Sequence, residues 1–154
     1  MSVLSYLGNV NIGIHLVEKL NPQAVLYEVD GSTSDGKPTN DTANINKLRF
    51  GNNTIILNSG PLWGEWAAPI YVDQPTMDDI VIPWPIDMDI KEAQKLKDEA
   101  GYKTDFTTVT LRWPLYPGNS EPYYIFGLKG YYVFVGVYSG KVFTEDMNKK
   151  KKPE

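Results

Sequence analysis

The sequence contains no cysteine. That excludes disulfides, thiolate nucleophiles and zinc sites built on thiolates. Such a composition is compatible with the cytoplasm, and equally with a secreted protein trimmed of its leader. Histidine occurs once, as His15, so neither a triad nor a zinc site can draw on a second imidazole or a thiol. A structural or surface role is expected for it. Arginine is limited to Arg49 and Arg112, in a chain of net charge −4 and pI near 5.0. Nucleic-acid binding takes much of its affinity from phosphate neutralisation, so no nucleic-acid partner is expected. No apolar run reaches the ~18 residues a membrane span needs. Residues 1–8 show neither a basic n-region nor a sustained apolar h-region. A soluble chain without signal peptide, transmembrane segment or membrane partner is the expectation.

What is present suits a packed domain. Of the 154 residues, 42% are hydrophobic and 22% charged, which is ordinary globular usage. Only 148–154 reads as a disordered basic tail, because Lys149, Lys150, Lys151 and Lys152 repel one another with nothing apolar to anchor them. Acidic residues gather at Asp73, Asp78, Asp79, Asp87 and Asp89, but without EF-hand spacing, so no metal is expected. The 19 acids include no pair singled out for hydrolysis. Gly127, Gly130 and Gly136 are spread over a hairpin and read as turn glycines, not as a phosphate cradle. The expectation is a non-enzymatic, cofactor-free protein.

Along the chain, five prolines between Gly60 and Pro85 (Pro61, Pro69, Pro75, Pro83, Pro85) exclude a long helix or a continuous central strand there. The stretch reads as a connector with short extended pieces at 69–72 and 80–82. Asp89 and Glu92 then form a capping-box pattern. Ile90, Ala93, Leu96 and Ala100 recur at helical spacing, and Gly101 stands at the C′ position, so a helix is predicted over 89–100. Strands follow at 107–113, 123–127, 131–138 and 142–144. Turns are expected at 116–119, across Leu128-Lys129-Gly130, and at Ser139-Gly140. The first half repeats the order more faintly. A helix over 12–20 turns Ile12, Leu16, Val17 and Leu20 inward and stops at Asn21-Pro22; strands are read at 24–29, 48–50 and 54–57, with a polar loop at 31–44. Phe50-Gly51 matches Phe126-Gly127, Ser59-Gly60 matches Ser139-Gly140, and Ile12 matches Ile90, at offsets of 76, 80 and 78. Similar offsets point to a diverged internal duplication.

Residues 89–144 resemble a PepSY domain. The resemblance lies in the helix 89–100, the strand 107–113, the approach Glu121-Pro122-Tyr123-Tyr124, and the ending from Tyr132 through Gly136 and Gly140 to Val142. A tandem pair would resemble the architecture of the β-lactamase inhibitor protein family, which binds through a concave sheet. The implied fold is α+β: two tandem helix-plus-antiparallel-sheet units with the helix packed on one sheet face. The implied division is 1–75 for the first unit with its connector, 76–147 for the second, PepSY-like unit, and 148–154 for the tail. The resemblance also implies inhibition of a peptidase or other hydrolase.

Aromatic residues carry the rest of the signal, with ten tyrosines and four tryptophans. Along 131–138, period two puts Tyr131, Val133, Val135 and Val137 on one side and Tyr132, Phe134, Gly136 and Tyr138 on the other. Along 107–113, Val109, Leu111 and Trp113 turn inward, opposite Thr108, Thr110 and Arg112. A face carrying Thr108, Thr110, Arg112, Tyr132, Phe134 and Tyr138 has interface composition. Two outcomes stay open: the face meets a protein partner, or Tyr132 and Phe134 seal the two units together. Trp63, Trp66 and Trp84 lie in the connector. Exposed, they would stack on sugars and make a lectin-like carbohydrate binder; buried, which is the expectation for large aromatics, they tether the connector. Protein binding is the leading expectation, carbohydrate binding the alternative, and a purely structural role the third.

Overall fold

The computed structural model describes residues 5–33, 43–50, 55–58, 65–71, 79–114 and 120–146, with 33, 43–50, 79 and 146 described by backbone alone. The chain is α+β. Helix α1 (Tyr6–Leu20) precedes strands β1 (Leu26–Thr33), β2 (Ala43–Phe50), β3 (Ile55–Asn58), β4 (Ile70–Tyr71) and β5 (Asp79–Ile80). Helix α2 (Ile90–Glu99) precedes β6 (Thr108–Pro114), β7 (Tyr123–Gly127), β8 (Tyr131–Gly136) and β9 (Val142–Asp146). One antiparallel sheet runs in the order β4-β3-β2-β1-β6-β7-β8-β9, with the short β5 paired to the end of β6. The predicted turn at 116–119 lies outside the described residues.

Helix α1 starts six residues earlier than its sequence pattern suggests. The Ser5 hydroxyl accepts the Gly8 N–H at 2.9 Å and caps it. Its inward stripe is Tyr6, Val10, Ile14 and Val17, while Leu16 and Leu20 are exposed. The expected inward set of Ile12, Leu16, Val17 and Leu20 is therefore right only for Val17. Helix α2 matches expectation more closely. Asp89 caps it, but by accepting the Ile90 N–H at 2.7 Å rather than the Glu92 N–H of a capping box, which donates to the Asp89 backbone carbonyl at 3.1 Å. At its end, Gly101 takes φ +103°, with Gly101 and Tyr102 N–H donating to the Asp98 and Lys97 carbonyls, a Schellman closure that a Cβ would strain. Of its expected inward set, Ile90 and Ala93 are buried and Leu96 packs partly buried against the core, but Ala100 is exposed and Lys97 is fully buried instead. The Lys97 ammonium donates to Asp98 Oδ1 (2.8 Å) and to the carbonyls of Tyr102 (2.7 Å) and Thr104 (3.2 Å). A buried charge needs such satisfaction, since an unpaired one costs several kcal/mol, on the order of a domain's net stability.

Both helices lie on the same face of the sheet. α1 packs over β2 and β3, and α2 over β8. Val10, Ile14, Ile90 and Ala93 join Val29, Leu57, Val109, Leu111, Phe126 and Val135 in one core cluster. Cross-strand register explains the sidedness. Val29 opposes Leu111, Leu111 opposes Tyr124, and Tyr124 opposes Val135, so one apolar row crosses four strands. The connector contributes Ile82 to this core, and the residues between it and α2 add Ile86 and Met88. The Met88 carbonyl accepts the Tyr124 hydroxyl at 2.8 Å.

Strand β8 ends at Gly136, two residues short of expectation, because Glu121 captures the turn. Its Oε1 accepts the Tyr138 and Ser139 N–H groups at 2.7 and 2.8 Å, and its Oε2 accepts the Ser139 hydroxyl at 2.6 Å. Gly140, at φ +72°, completes the reversal into β9.

Candidate functional site

Each residue of the apolar row has a neighbour that points the other way. Glu28 opposes Arg112, Arg112 opposes Tyr123, and Tyr123 opposes Gly136; one step along, Asp30 opposes Thr110, Thr110 opposes Ile125, and Ile125 opposes Phe134. Strand β9 extends the row, with Phe143 opposite Phe134 and Glu145 opposite Tyr132. No described helix covers this second face.

The face is polar at the sheet centre and aromatic toward β9. At the centre, the Thr110 hydroxyl lies 3.4 Å from Asp30 Oδ1. Toward β9, the Phe134 and Phe143 rings stack at 4.8 Å and 10°. The Tyr123 ring meets both edge-on, at 5.9 and 5.5 Å, a geometry that holds aromatic rings in fixed positions. Burial, and then the Glu121 carboxylate, push the Tyr123 hydroxyl pKa upward, so it stays protonated at neutral pH. Phe143 and Tyr132 nevertheless remain 41% and 38% exposed. Two shallow depressions cross the surface, about 550 Å³ beside Glu28, Asp30 and Thr108 and about 350 Å³ beside Arg112, Phe134 and Phe143; Thr110 and Tyr132 line both.

Five of the six residues expected on this surface are brought together: Thr108, Thr110, Arg112, Tyr132 and Phe134. Tyr138 is not. It leaves the strand with the Glu121-bound turn, and its ring sits edge-on to Trp113 at 6.3 Å. Tyr132 and Phe134 do not seal one half of the chain against the other, since both halves share one sheet and these side chains lie on its uncovered face. Sequence reasoning missed Phe143, Glu145, Glu28 and Asp30. The alternation Val142-Phe143-Thr144-Glu145 carried the signal for the first two, once β9 is registered against β8.

The tryptophans stand elsewhere. Trp66 and Trp84 are partly buried and pack against the core, with the Trp84 indole N–H donating to Asn11 Oδ1 at 3.2 Å. Trp63 lies outside the described residues, as do Asp73 and Asp78. His15 is on the surface of α1, 3.3 Å from Glu18. Among the described residues, no group of three or more metal-ligating side chains forms, and no helix is long and apolar enough to cross a membrane.

No family model matches this chain, nor does any curated protein or any solved structure.

Proposed function

We propose that this chain is a non-enzymatic protein-binding module that docks its partner on the uncovered sheet face. The observation that carries this reading is an aromatic set on one sheet face beside Thr110 and Arg112, in which the stacked Phe134 and Phe143 rings share a depression with Tyr132, and Tyr132 and Phe143 stay exposed. Aromatic and arginine side chains dominate binding hot spots, and a preorganised surface loses little entropy on association. The mix of Glu28, Asp30, Arg112 and Glu145 with aromatics suits a partner that offers an apolar anchor flanked by polar groups.

The two segments, α1 with β1–β4 and α2 with β6–β9, are read as copies of one PepSY-like unit. Their shared element order and the mirror-like strand order about the β1–β6 junction support that reading. By the same resemblance, the partner is a peptidase or another hydrolase and the effect is inhibition. A carbohydrate ligand is the outcome that would displace this proposal, although Trp66 and Trp84 present no stacking platform on this face.

Capture from a native extract with the wild-type chain, compared with a Tyr132→Ala/Phe134→Ala chain, tests the site. Loss of a defined protein in the double variant supports it, and equal recovery removes it. Binding on a glycan array together with an empty capture would favour the sugar reading.

A further inference from the structure

Strand β9 is the outermost strand on its side of the sheet. β8 pairs with one edge, and no described strand pairs with the other. An open edge presents backbone donors and acceptors to another strand. The Gly136 N–H donates to the Lys141 carbonyl at 2.9 Å. By period two, the Lys141 carbonyl and the backbone groups of Phe143 and Glu145 therefore point at β8, while those of Val142, Thr144 and Asp146 point outward; the Lys141 N–H donates to the Ser139 hydroxyl at 3.1 Å. The side chains of Phe143 and Glu145 share the uncovered face, Lys141 continues their alternation one residue before β9, and all three are exposed.

We propose that this edge pairs with the same edge of a second copy of this chain, antiparallel about a two-fold axis at Phe143. The pattern is self-complementary. In that register, Lys141 of each copy faces Glu145 of the other, and the two Phe143 rings meet at the axis. The outward backbone groups of Val142 bond to those of Thr144 across the junction, and back again. Opposite charges and aromatic pairs directly across two strands are the favourable cross-strand combinations. A one-residue slip would set the uncovered face of one copy beside the helix-covered face of the other, and a two-residue slip would separate both charge pairs. Only this register satisfies both. It also joins the Phe134–Phe143 stack of each copy into one aromatic row across the axis, an isologous contact of the kind that closes as a dimer.

Sedimentation velocity on the full chain, with concentrations spanning about 10 µM to 1 mM, reads the equilibrium directly. Lys141→Glu and Glu145→Lys each place like charges across the axis twice, and each should weaken dimerisation about tenfold or more. The Lys141→Glu/Glu145→Lys double variant restores opposite charges and should return dimerisation toward wild type. Circular dichroism confirms that all three chains remain folded. A wild-type chain that stays monomeric throughout overturns the proposal, as do single variants that dimerise like wild type or a double variant that fails to recover. The result is independent of what docks on the sheet face.

Discussion

Glu121 holds three donors from one turn while almost fully buried. Removing it as Glu121→Ala leaves those groups without their acceptor and should cost about 3 kcal/mol, read from the urea midpoint. A Cβ at Gly136 would run into the Glu121 carboxylate and come within 2.7 Å of the Ser139 hydroxyl. Gly136→Ala should therefore destabilise by ~1–3 kcal/mol. Tyr6 and Tyr124, the most strongly shifted of the three buried tyrosines, make the fold sensitive to alkali. Burial first, then the Asp30 and Asp89 carboxylates, raise the Tyr6 pKa; burial first, then Tyr6, Asp89 and Glu92, raise that of Tyr124. The unfolded chain ionises both near the ordinary value of 10.0, while the folded chain keeps them neutral. Their contribution is thus complete below pH 10 and falls above it, by about 1.4 kcal/mol per pH unit for each tyrosine. Urea unfolding at stepped alkaline pH checks this, and Tyr124→Phe should flatten the slope. None of these residues announces itself in sequence. A buried glutamate or lysine looks like any surface charge until the chain folds around it.

Among the elements, α2 was legible because Asp89, the apolar spacing and Gly101 all agree. Its misreading at position 97 is instructive. Ile90, Ala93 and Lys97 form a proper helical stripe, but a charged residue is discounted from an inward face by chemistry alone. Lys97→Met keeps the volume yet leaves the Tyr102 and Thr104 carbonyls without their donor. It should cost about 1–3 kcal/mol, measured by chemical denaturation. α1 was half-legible, since Gly8, Asn9, Asn11 and Gly13 are weak helix formers. They hid a first half that tertiary packing of Tyr6 and Val10 holds in place. Among the strands, β7 was read to the residue, because alternating apolar runs and glycine turns bracket it.

On the scale of the whole molecule, local sequence has no signature for the β1–β6 junction, a pairing of residues about 80 apart whose only cue is register. That junction turns two short sheets into one wide sheet and sets Glu28 and Asp30 beside the Thr110 and Arg112 surface. Period two on β6 and β8 nonetheless foretold five residues of the uncovered face, because alternation survives whatever the neighbouring strand is. Tyr138 escaped because a turn, not a strand, carries it. If the face is a docking surface, Tyr132→Ala/Phe134→Ala should weaken partner binding by roughly 10- to 100-fold, while circular dichroism stays unchanged.

Photo-cross-linking from two positions puts the central claim to its most direct test. A benzophenone side chain at position 132 sits on the uncovered face, and one at position 15 sits on exposed α1, on the opposite side of the sheet. In native extract, position 132 should yield a discrete adduct with another protein and position 15 should not. Adducts from position 15 alone, or from neither position, would contradict binding through the sheet.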